Sequence, residues 1–462
     1  MTDFENYQSP FSWRYGSSEM RGIWSEVHKR RLWRQMWVSL AEVEAGYDLL
    51  TAEQLADLQA HSQQVDVPRS LQIEAEIQHD LMAELKAFAE QCPLGGGALH
   101  LGATSTDIED NADVLRMRQS LDLLLEKLKA LLLRFVDQVE QWAETPLMAF
   151  THLQPAEPST LGYRLAQYAQ DLLMDWEDLR RAQRNLRGKG FKGAVGTGAS
   201  YAELIGGENL SEFEIRLSTR LGLPFFSVTT QTYPRKQDYR VMAALAGLGG
   251  SLYKFAFDIR LLQSPAMGEL AEPFGKRQVG SSAMPFKRNP INAERIDSLG
   301  RLLAQLPRLA WDNAAHSLLE RTLDESANRR TLLPESFLIA DELIQTSAKI
   351  LDGLQVDQAA IERNLRTYGP FAATERVLMA LGKAGADRQA MHDRLRQHAL
   401  AAWDRLQVGE ANPLVELVCQ DPILQATIAE PELRRLMDAS RHVGDAPQRA
   451  HSLAETIRQA FG

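Results

Sequence analysis

Five long helical patterns between residues 105 and 356 constrain the fold more than any other feature of this sequence. Leucine, valine and aromatic residues recur there at the three- and four-residue spacing of an amphipathic helix. The predicted helices cover residues 119–142, 159–186, 237–263, 291–320 with a kink at Pro307, and 330–354. Helices of this length exceed those of an ordinary globular domain, so they indicate a helical bundle or an interface between subunits.

Shorter helical patterns flank this central region. Thr51-Ala-Glu-Gln54 has the spacing of a capping box and predicts the start of a helix, whereas patterns beyond residue 356 break at Gly369-Pro370 and Pro413. The best candidate strand is 225–232. We therefore predict an all-α protein of three domains. They are an N-terminal helical domain (1–104), a central five-helix bundle (105–356) and a C-terminal helical domain (357–462).

The composition excludes several classes of protein. A net charge of -10 argues against a nucleic-acid-binding surface, and charged residues interrupt the most apolar run, so no membrane span is expected. Cys92 and Cys419 are the only cysteines, which are too few for a disulfide framework or a zinc site and fit a cytoplasmic protein. No spacing of cysteine, histidine and acidic residues predicts a metal site. Basic clusters at 28–34, 180–192, 276–288 and 329–330 suit a small polyanionic metabolite.

The segment 275–295 combines hinge residues with paired hydroxyls and dense positive charge. Its glycines permit unusual backbone conformations, and Pro285 and Pro290 prevent a continuous helix, so the segment is predicted to be a loop that opens and closes. Ser281 and Ser282 lie among lysines and arginines, which would hold an anionic substrate and lower the cost of ionising a hydroxyl. Composition alone leaves a solvated basic loop as an equal alternative.

A second glycine-rich segment, Gly188-Lys-Gly-Phe-Lys-Gly193, matches the pattern G-x-G-x-x-G. It follows a polar helix rather than a strand and opens no helix, so a dinucleotide-binding site is rejected. His152 taken alone is a structural histidine more readily than a catalytic one, and arginines 14, 321 and 330 taken alone are surface residues.

The segment Gly280-Ser-Ser-Ala-Met-Pro-Phe-Lys-Arg-Asn-Pro290 resembles the signature loop of the fumarase/aspartase superfamily, whose members eliminate fumarate. Segments 100–105, 150–155, 231–238 and 320–330 extend the resemblance, which weakens after about residue 400. It implies a homotetramer with a shared central bundle, in which each active site takes residues from three subunits, and a reaction without cofactor or metal. It is nearest to the branch that acts on purine-pathway succinyl nucleotides, namely adenylosuccinate and the succinylated aminoimidazole carboxamide ribotide.

The resemblance also assigns roles to individual residues. Ser281 is the expected base, with Ser282 the less favoured choice, and His152 is the expected acid or is paired with Glu294. The catalytic residues implied in this way are Ser281, His152, His79, Lys287 and Glu294. The substrate-binding residues implied are Arg14, Tyr15, Thr104, Ser105, Gln231, Asn289, Arg321, Ser326 and Arg330.

Two alternatives remain open at this point. The chain could be another enzyme of the superfamily, such as argininosuccinate lyase or carboxymuconate cycloisomerase, but those substrates lack the nucleotide phosphate that the arginine set would bind. It could also be a non-catalytic helical homologue. That reading is disfavoured because Ser281, His152, Lys287, Asn289 and Glu294 are all present together.

Overall fold

The computed structural model describes residues 4–461, which are predominantly helical. The α-helices, numbered in chain order, are α1 (Ser18–Ile23), α2 (Glu26–Ala45), α3 (Ala52–His61), α4 (Val67–Ile77), α5 (Asp80–Gln91), α6 (Ser105–Gln141), α7 (Leu161–Arg184), α8 (Ala199–Ile205), α9 (Leu210–Leu221), α10 (Lys236–Leu262), α11 (Ile291–Leu303), α12 (Leu306–Ala315), α13 (Asp324–Asp352), α14 (Gln358–Lys383), α15 (Arg388–Gln407), α16 (Leu414–Cys419), α17 (Pro422–Gln425), α18 (Glu430–Leu436) and α19 (Ala446–Phe461). None of the helices within these residues is long and apolar enough to cross a membrane.

Two short antiparallel pairs of strands accompany the helices. Strand β1 (Pro146–Thr151) pairs with β2 (Gln154–Thr160), so that Pro146 lies opposite Thr160 and Thr151 opposite Gln154. Strand β3 (Leu270–Ala271) pairs with β4 (Gln355–Val356).

Four of the five predicted long helices, which correspond to α6, α7, α10 and α13, form where the apolar periodicity predicts them. In α6 the side chains of Leu121, Leu124, Leu128 and Leu132 are fully buried, at the three- and four-residue intervals of one helix face. The capping box at Thr51 is confirmed, because its hydroxyl accepts from the backbone of Gln54 and the Gln54 side chain accepts from the backbone of Thr51.

The pattern at 291–320 forms two helices rather than one kinked helix. The break separates α11 from α12, and Pro307 lies in the first turn of α12, where a missing backbone N–H costs nothing. By contrast, Pro334 lies inside α13 without ending it.

The strand prediction for 225–232 is wrong, because this segment contributes only an isolated bridge between Gly188 and Phe225. The hairpin of β1 and β2 was missed, since Pro155 and Pro158 in β2 resemble strand breakers. A two-stranded sheet tolerates proline because each strand has one edge that needs no donor. His152 and its neighbour Leu153 form the turn with φ of 54° and 58°, so His152 lies at an exposed hairpin tip.

The contacts divide the chain into two compact units, each discontinuous in sequence. The first unit contains the described residues up to 128 together with 175–250 and 298–345. The second contains 129–174, 251–297 and the described residues from 346 onward. The three domains bounded at residues 104 and 356 stay a prediction. In the second unit, Met148 of β1 packs into an apolar core with Leu381, Val418 and Leu433.

Candidate active site

In the first unit, Asp107 fixes the loop that carries Thr104 and Ser105. Asp107 lies in the first turn of α6, fully buried, and its Oδ2 accepts a hydrogen bond from the backbone N–H of Thr104 at 3.0 Å. The ammonium group of the equally buried Lys189 pairs with its other oxygen, Oδ1. Because a buried carboxylate is costly unless it is paired and hydrogen-bonded, this arrangement fixes the loop in one position.

The glycine-rich segment 188–193 completes the surroundings of Asp107. The backbone N–H groups of Lys192 and Gly193 donate to the Asp107 carboxylate, each at 3.1 Å, and the hydroxyl of Tyr201 donates at 3.3 Å. The backbone donors of Lys192 and Gly193 are thus committed to a protein carboxylate rather than to a ligand. The rejection of a dinucleotide site therefore has a structural reason.

His79 and Ser105 are brought together in the first unit. The Nε2 atom of His79 lies 3.5 Å from the hydroxyl of Ser105, which begins α6. The other ring nitrogen, Nδ1, accepts from the backbone N–H of Met82 at 3.4 Å, so the imidazole caps α5. Because Nδ1 is the acceptor, the neutral ring carries its proton on Nε2 and can donate it toward Ser105 or a ligand there.

Gln231 is fixed through its backbone. Its carbonyl accepts from the hydroxyl of Thr106, and its N–H donates to the carbonyl of Glu320 at 3.1 Å. Its side-chain amide makes no hydrogen bond to another residue within 4–461, which leaves it available to a ligand.

Arg321, Ser326 and Arg330 line one cavity of about 140 Å³ in the first unit. Arg321 pairs with Glu325 at 2.5 Å, and Arg330 pairs with Asp80 at 2.6 Å. The remaining lining residues are Trp24, Glu26, Lys29, Trp33, Thr106, Glu109, Asp110, Asp113, Arg116, Arg235, Arg329, Leu333 and Pro334. A cavity of this size, with arginine forks at its wall, suits a phosphate group.

Burial and ion pairing set the charge of this cavity. Burial, reinforced by repulsion from Asp80 and Asp110, raises the pKa of Glu109 to about 8, so this carboxyl group is neutral at pH 7 and does not repel an anion. Burial opposes the ionisation of Glu325, but Arg235 and a hydrogen bond from Arg321 hold its pKa below the usual value. Arg321 is therefore neutralised in part until a ligand competes for it.

Arg14 and Tyr15 lie outside the lining of this cavity. They follow a short 3-10 turn, and the Arg14 guanidinium sits 5.7 Å from the ring centre of Trp13 and 5.8 Å from that of Tyr15. The predicted phosphate contacts are thus brought together only in part.

The signature loop belongs to the second unit. The hydroxyl oxygen of Ser281 accepts from the backbone N–H groups of Ala283 at 3.3 Å and Met284 at 3.1 Å. The side-chain amide of Asn289 donates to the carbonyl of Gly280 at 2.9 Å and closes the base of the loop. Lys287 is exposed and has no acidic partner within residues 4–461. The loop therefore presents a hydroxyl with two donors aimed at it and an uncommitted ammonium group.

Glu272 supports the end of this loop, a role that the sequence patterns did not reveal. Its buried carboxylate accepts from the backbone N–H groups of Asn292, at 3.1 Å, and Ala293, at 2.9 Å, at the start of α11. Glu294, in the first turn of α11, is exposed, as is His152. Within residues 4–461, His152 forms no hydrogen bond or ion pair with Glu294 or Ser281, so that pairing stays a prediction.

Comparison with known proteins identifies the family. Residues 16–301 match a family model described as Lyase, and residues 370–452 match one described as Adenylosuccinate lyase C-terminus. The adenylosuccinate lyase of Saccharomyces cerevisiae is 38% identical over 98% of this chain and 95% of its own length. That of Schizosaccharomyces pombe is 37% identical over 100% and 97%. The chain belongs to the adenylosuccinate lyase family.

Solved structures place this chain in the predicted fold class. A 3-carboxy-cis,cis-muconate lactonizing enzyme from Pseudomonas putida matches with a TM-score of 0.87 and 26% identity, covering 98% of this chain and all of that one. A fumarate lyase from Mesorhizobium sp. BNC1 matches with a TM-score of 0.84 and 23% identity, covering 97% and 99%. The prediction of a mainly helical fumarase/aspartase-like lyase fold is confirmed.

One cluster in this adenylosuccinate lyase family member was not expected from its sequence. Asp57, His61 and Cys92 bring one possible metal-ligating atom each to within 4.8 Å of one another, although no metal site was predicted. The spacing of Asp57 and His61, four residues apart on a predicted helix, was the available signal. Cys92 joins them only through the fold.

Proposed function

We propose that the protein cleaves adenylosuccinate to AMP and fumarate, and the succinylated aminoimidazole carboxamide ribotide to its free carboxamide and fumarate. The observation that carries this proposal is the cavity lined by Arg321, Ser326 and Arg330, because it offers a phosphate site to a substrate of the family. Thr104, Ser105 and Gln231 would bind the succinyl part, with Arg14 and Tyr15 completing the phosphate contacts.

Ser281 is the base in this proposal. A serine hydroxyl is a poor base, since its alkoxide is costly in water. Two N–H donors aimed at its oxygen favour the ionised form, and the lysines and arginines of the same loop add positive charge. Closure of the loop over the substrate would exclude water and strengthen both effects.

The other groups stabilise the carbanion and protonate the departing nitrogen. Removal of a proton next to a carboxylate creates a dianionic carbanion, which Lys287 and Asn289 would stabilise by donating to the carboxylate oxygens. Asn289 would exchange its present bond to Gly280 for one to the substrate. His152, assisted by Glu294, would protonate the leaving nitrogen, and His79 would lie near the leaving group. The reaction needs no cofactor.

We further propose a cytoplasmic homotetramer in which each site takes residues from three subunits. Two observations support assembly. His152 and Glu294 are exposed and make no contact with each other by hydrogen bond or ion pair. Large apolar side chains on the long helices are also exposed, among them Met174, Phe257 and Leu302. Both features suit surfaces that another copy of the chain covers.

The function is tested by following the ultraviolet change of adenylosuccinate with the purified enzyme. The wild-type protein is expected to turn adenylosuccinate over. In the Arg321→Ala variant KM should rise about 10- to 100-fold, because one charge-assisted contact to the substrate is lost. The exposed Arg31 of α2 supplies the matched control, and Arg31→Ala should leave KM unchanged. Absence of turnover would refute the proposal.

The fold also matches a muconate lactonizing enzyme, so 3-carboxy-cis,cis-muconate belongs in the same assay. That substrate carries no phosphate and would leave the arginine cavity unused. If the protein converted the muconate and not adenylosuccinate, its activity would be that of the muconate lactonizing enzyme.

Shared sites are tested by mixing two inactive variants, His152→Ala and Ser281→Ala, unfolding them together and refolding them. If the two residues come from different chains, random mixing leaves about a quarter of the sites with both residues intact. Activity near that fraction is expected. No recovery in tetramers shown to have mixed would mean that one chain supplies both residues.

A further inference from the structure

A cluster of three potential metal ligands lies in the first unit, apart from the residues assigned to catalysis. Asp57 and His61 lie on α3, one turn apart, and Cys92 forms the C-terminal cap of α5. The Nδ1 atom of His61 is 3.3 Å from Oδ1 of Asp57, and all three donor atoms lie within 4.8 Å of one another. A carboxylate, an imidazole and a thiol thus converge on one point.

The surroundings orient these donors. The second carboxylate oxygen of Asp57 accepts from the backbone N–H groups of Leu94, at 2.8 Å, and Gly95, at 2.9 Å, which leaves Oδ1 facing His61. Outer hydrogen bonds of this kind hold the ligands of metal sites in place. Cys92 is buried, whereas the side chain of His61 is 30% exposed and provides a path for an ion from solvent.

We propose that Asp57, His61 and Cys92 bind one Zn²⁺ ion per chain. Oxygen, nitrogen and sulfur donors of these types are those that zinc prefers, and three protein ligands leave the fourth tetrahedral position to water. In a tetrahedral zinc site neighbouring donors are about 3.3–3.6 Å apart. The Nδ1 atom of His61 and Oδ1 of Asp57 already have this separation, so the sulfur of Cys92 needs to approach them by up to about 1 Å.

Binding changes the hydrogen bonds within the cluster. The Nδ1 atom of His61 now lies 2.9 Å from the backbone carbonyl of Asp57, and the sulfur of Cys92 lies 3.9 Å from the same oxygen. The metal would bind to Nδ1 of His61 and to the sulfur of Cys92. The imidazole proton would therefore move from Nδ1 to Nε2, and the thiol proton would pass to solvent. The ion would join the last turn of α3 to the end of α5.

The site is tested on tag-free enzyme with Co²⁺, whose absorption reports its ligands. One equivalent per chain should produce a thiolate-to-cobalt charge-transfer band and the visible bands of a tetrahedral ion, and Zn²⁺ should displace both. Zn²⁺ should also raise the thermal unfolding midpoint by a few degrees, because it binds only the folded state.

Three variants locate the site. Cys92→Ser should abolish the charge-transfer band, and His61→Ala and Asp57→Asn should each weaken cobalt binding by more than about tenfold. Asp57→Asn keeps an oxygen for the two backbone donors, so its fold is preserved. Cys419→Ser removes the other buried cysteine and should change nothing. Absence of a cobalt spectrum, or a spectrum that survives in Cys92→Ser, would overturn the proposal.

Discussion

The carboxylate of Asp107 and the ammonium of Lys189 form an ion pair from which solvent is fully excluded. These residues are far apart in sequence, yet the pair joins the start of α6 to the glycine-rich segment 188–193. Since Asp107 also accepts from the backbone of Thr104, the pair fixes the loop proposed to bind the succinyl carboxylates. A buried structural contact would therefore support the substrate binding that we propose for this loop.

Removing the cation of this pair should affect both stability and binding. Lys189→Met leaves a buried carboxylate without its counterion, a loss of about 3–5 kcal/mol in the free energy of unfolding, and should raise KM because Thr104 loses its support. Denaturant unfolding and steady-state kinetics measure the two effects. Lys192→Met removes an ion pair with Glu214, whose side chain is 30% exposed, and a hydrogen bond to the carbonyl of Lys189, but it leaves the Asp107–Lys189 pair in place, so the destabilisation should be smaller. Equal losses of unfolding free energy in the two variants would show that the Asp107–Lys189 pair has no special role in stability.

Gly280 should tolerate no side chain. A Cβ atom there would lie 2.0 Å from the backbone carbonyl oxygen of Lys287, so Gly280→Ala forces the signature loop apart. Because the loop is exposed, turnover should fall steeply while the thermal midpoint hardly changes. Gly382→Ala, in the open at the end of α14, is the control and should keep full activity. Normal turnover in Gly280→Ala would mean that this loop conformation is irrelevant to catalysis.

Glu44 should make the protein sensitive to alkaline pH. It is almost fully buried in α2, its Oε1 has no hydrogen-bond partner within the described residues, and burial raises its pKa from 4.5 to about 8. Between pH 4.5 and about 8, Glu44 is therefore protonated in the folded state and ionised in the unfolded chain. The stabilisation is complete below pH 4.5 and is lost as pH rises through about 8.

Thermal midpoints at pH 6 and pH 9 test this dependence. The fall between the two values should be smaller in Glu44→Gln, which cannot ionise, than in the wild type. The exposed Glu126 offers the control, and Glu126→Gln should follow the wild type. Parallel curves for all three proteins would mean that Glu44 is ionised at neutral pH.

Periodicity was sufficient to predict much of the fold, and the motif was sufficient to place the proposed catalytic residues of the signature loop on one segment. The stripe of leucines in α6 and the capping box at Thr51 are local patterns, and local patterns survive in the folded chain. Ser281, Lys287 and Asn289 are neighbours in sequence, so their presence on one loop followed directly.

Pairings between residues that lie far apart along the chain could not be predicted from the sequence. Lys189 and Arg329 were counted among the basic clusters expected to suit a polyanionic metabolite, but the fold buries Lys189 against Asp107 and Arg329 against Asp238. The hairpin that presents His152 was hidden by its prolines, and Glu272 gave no signal of its support for α11. Each depends on which surfaces meet after folding, which no spacing along the chain encodes.

Ser281 is proposed to remove the proton in the elimination, and the turnover rate of Ser281→Ala at saturating adenylosuccinate measures how much the reaction depends on it. General base catalysis contributes about 10²–10⁴-fold, so the rate should fall by that amount or more while substrate binding, measured by calorimetry, stays close to that of the wild type. Ser282→Ala, one residue away on the same loop, should retain most of the rate. Near-normal turnover in Ser281→Ala, or a deeper loss in Ser282→Ala, would contradict the assignment.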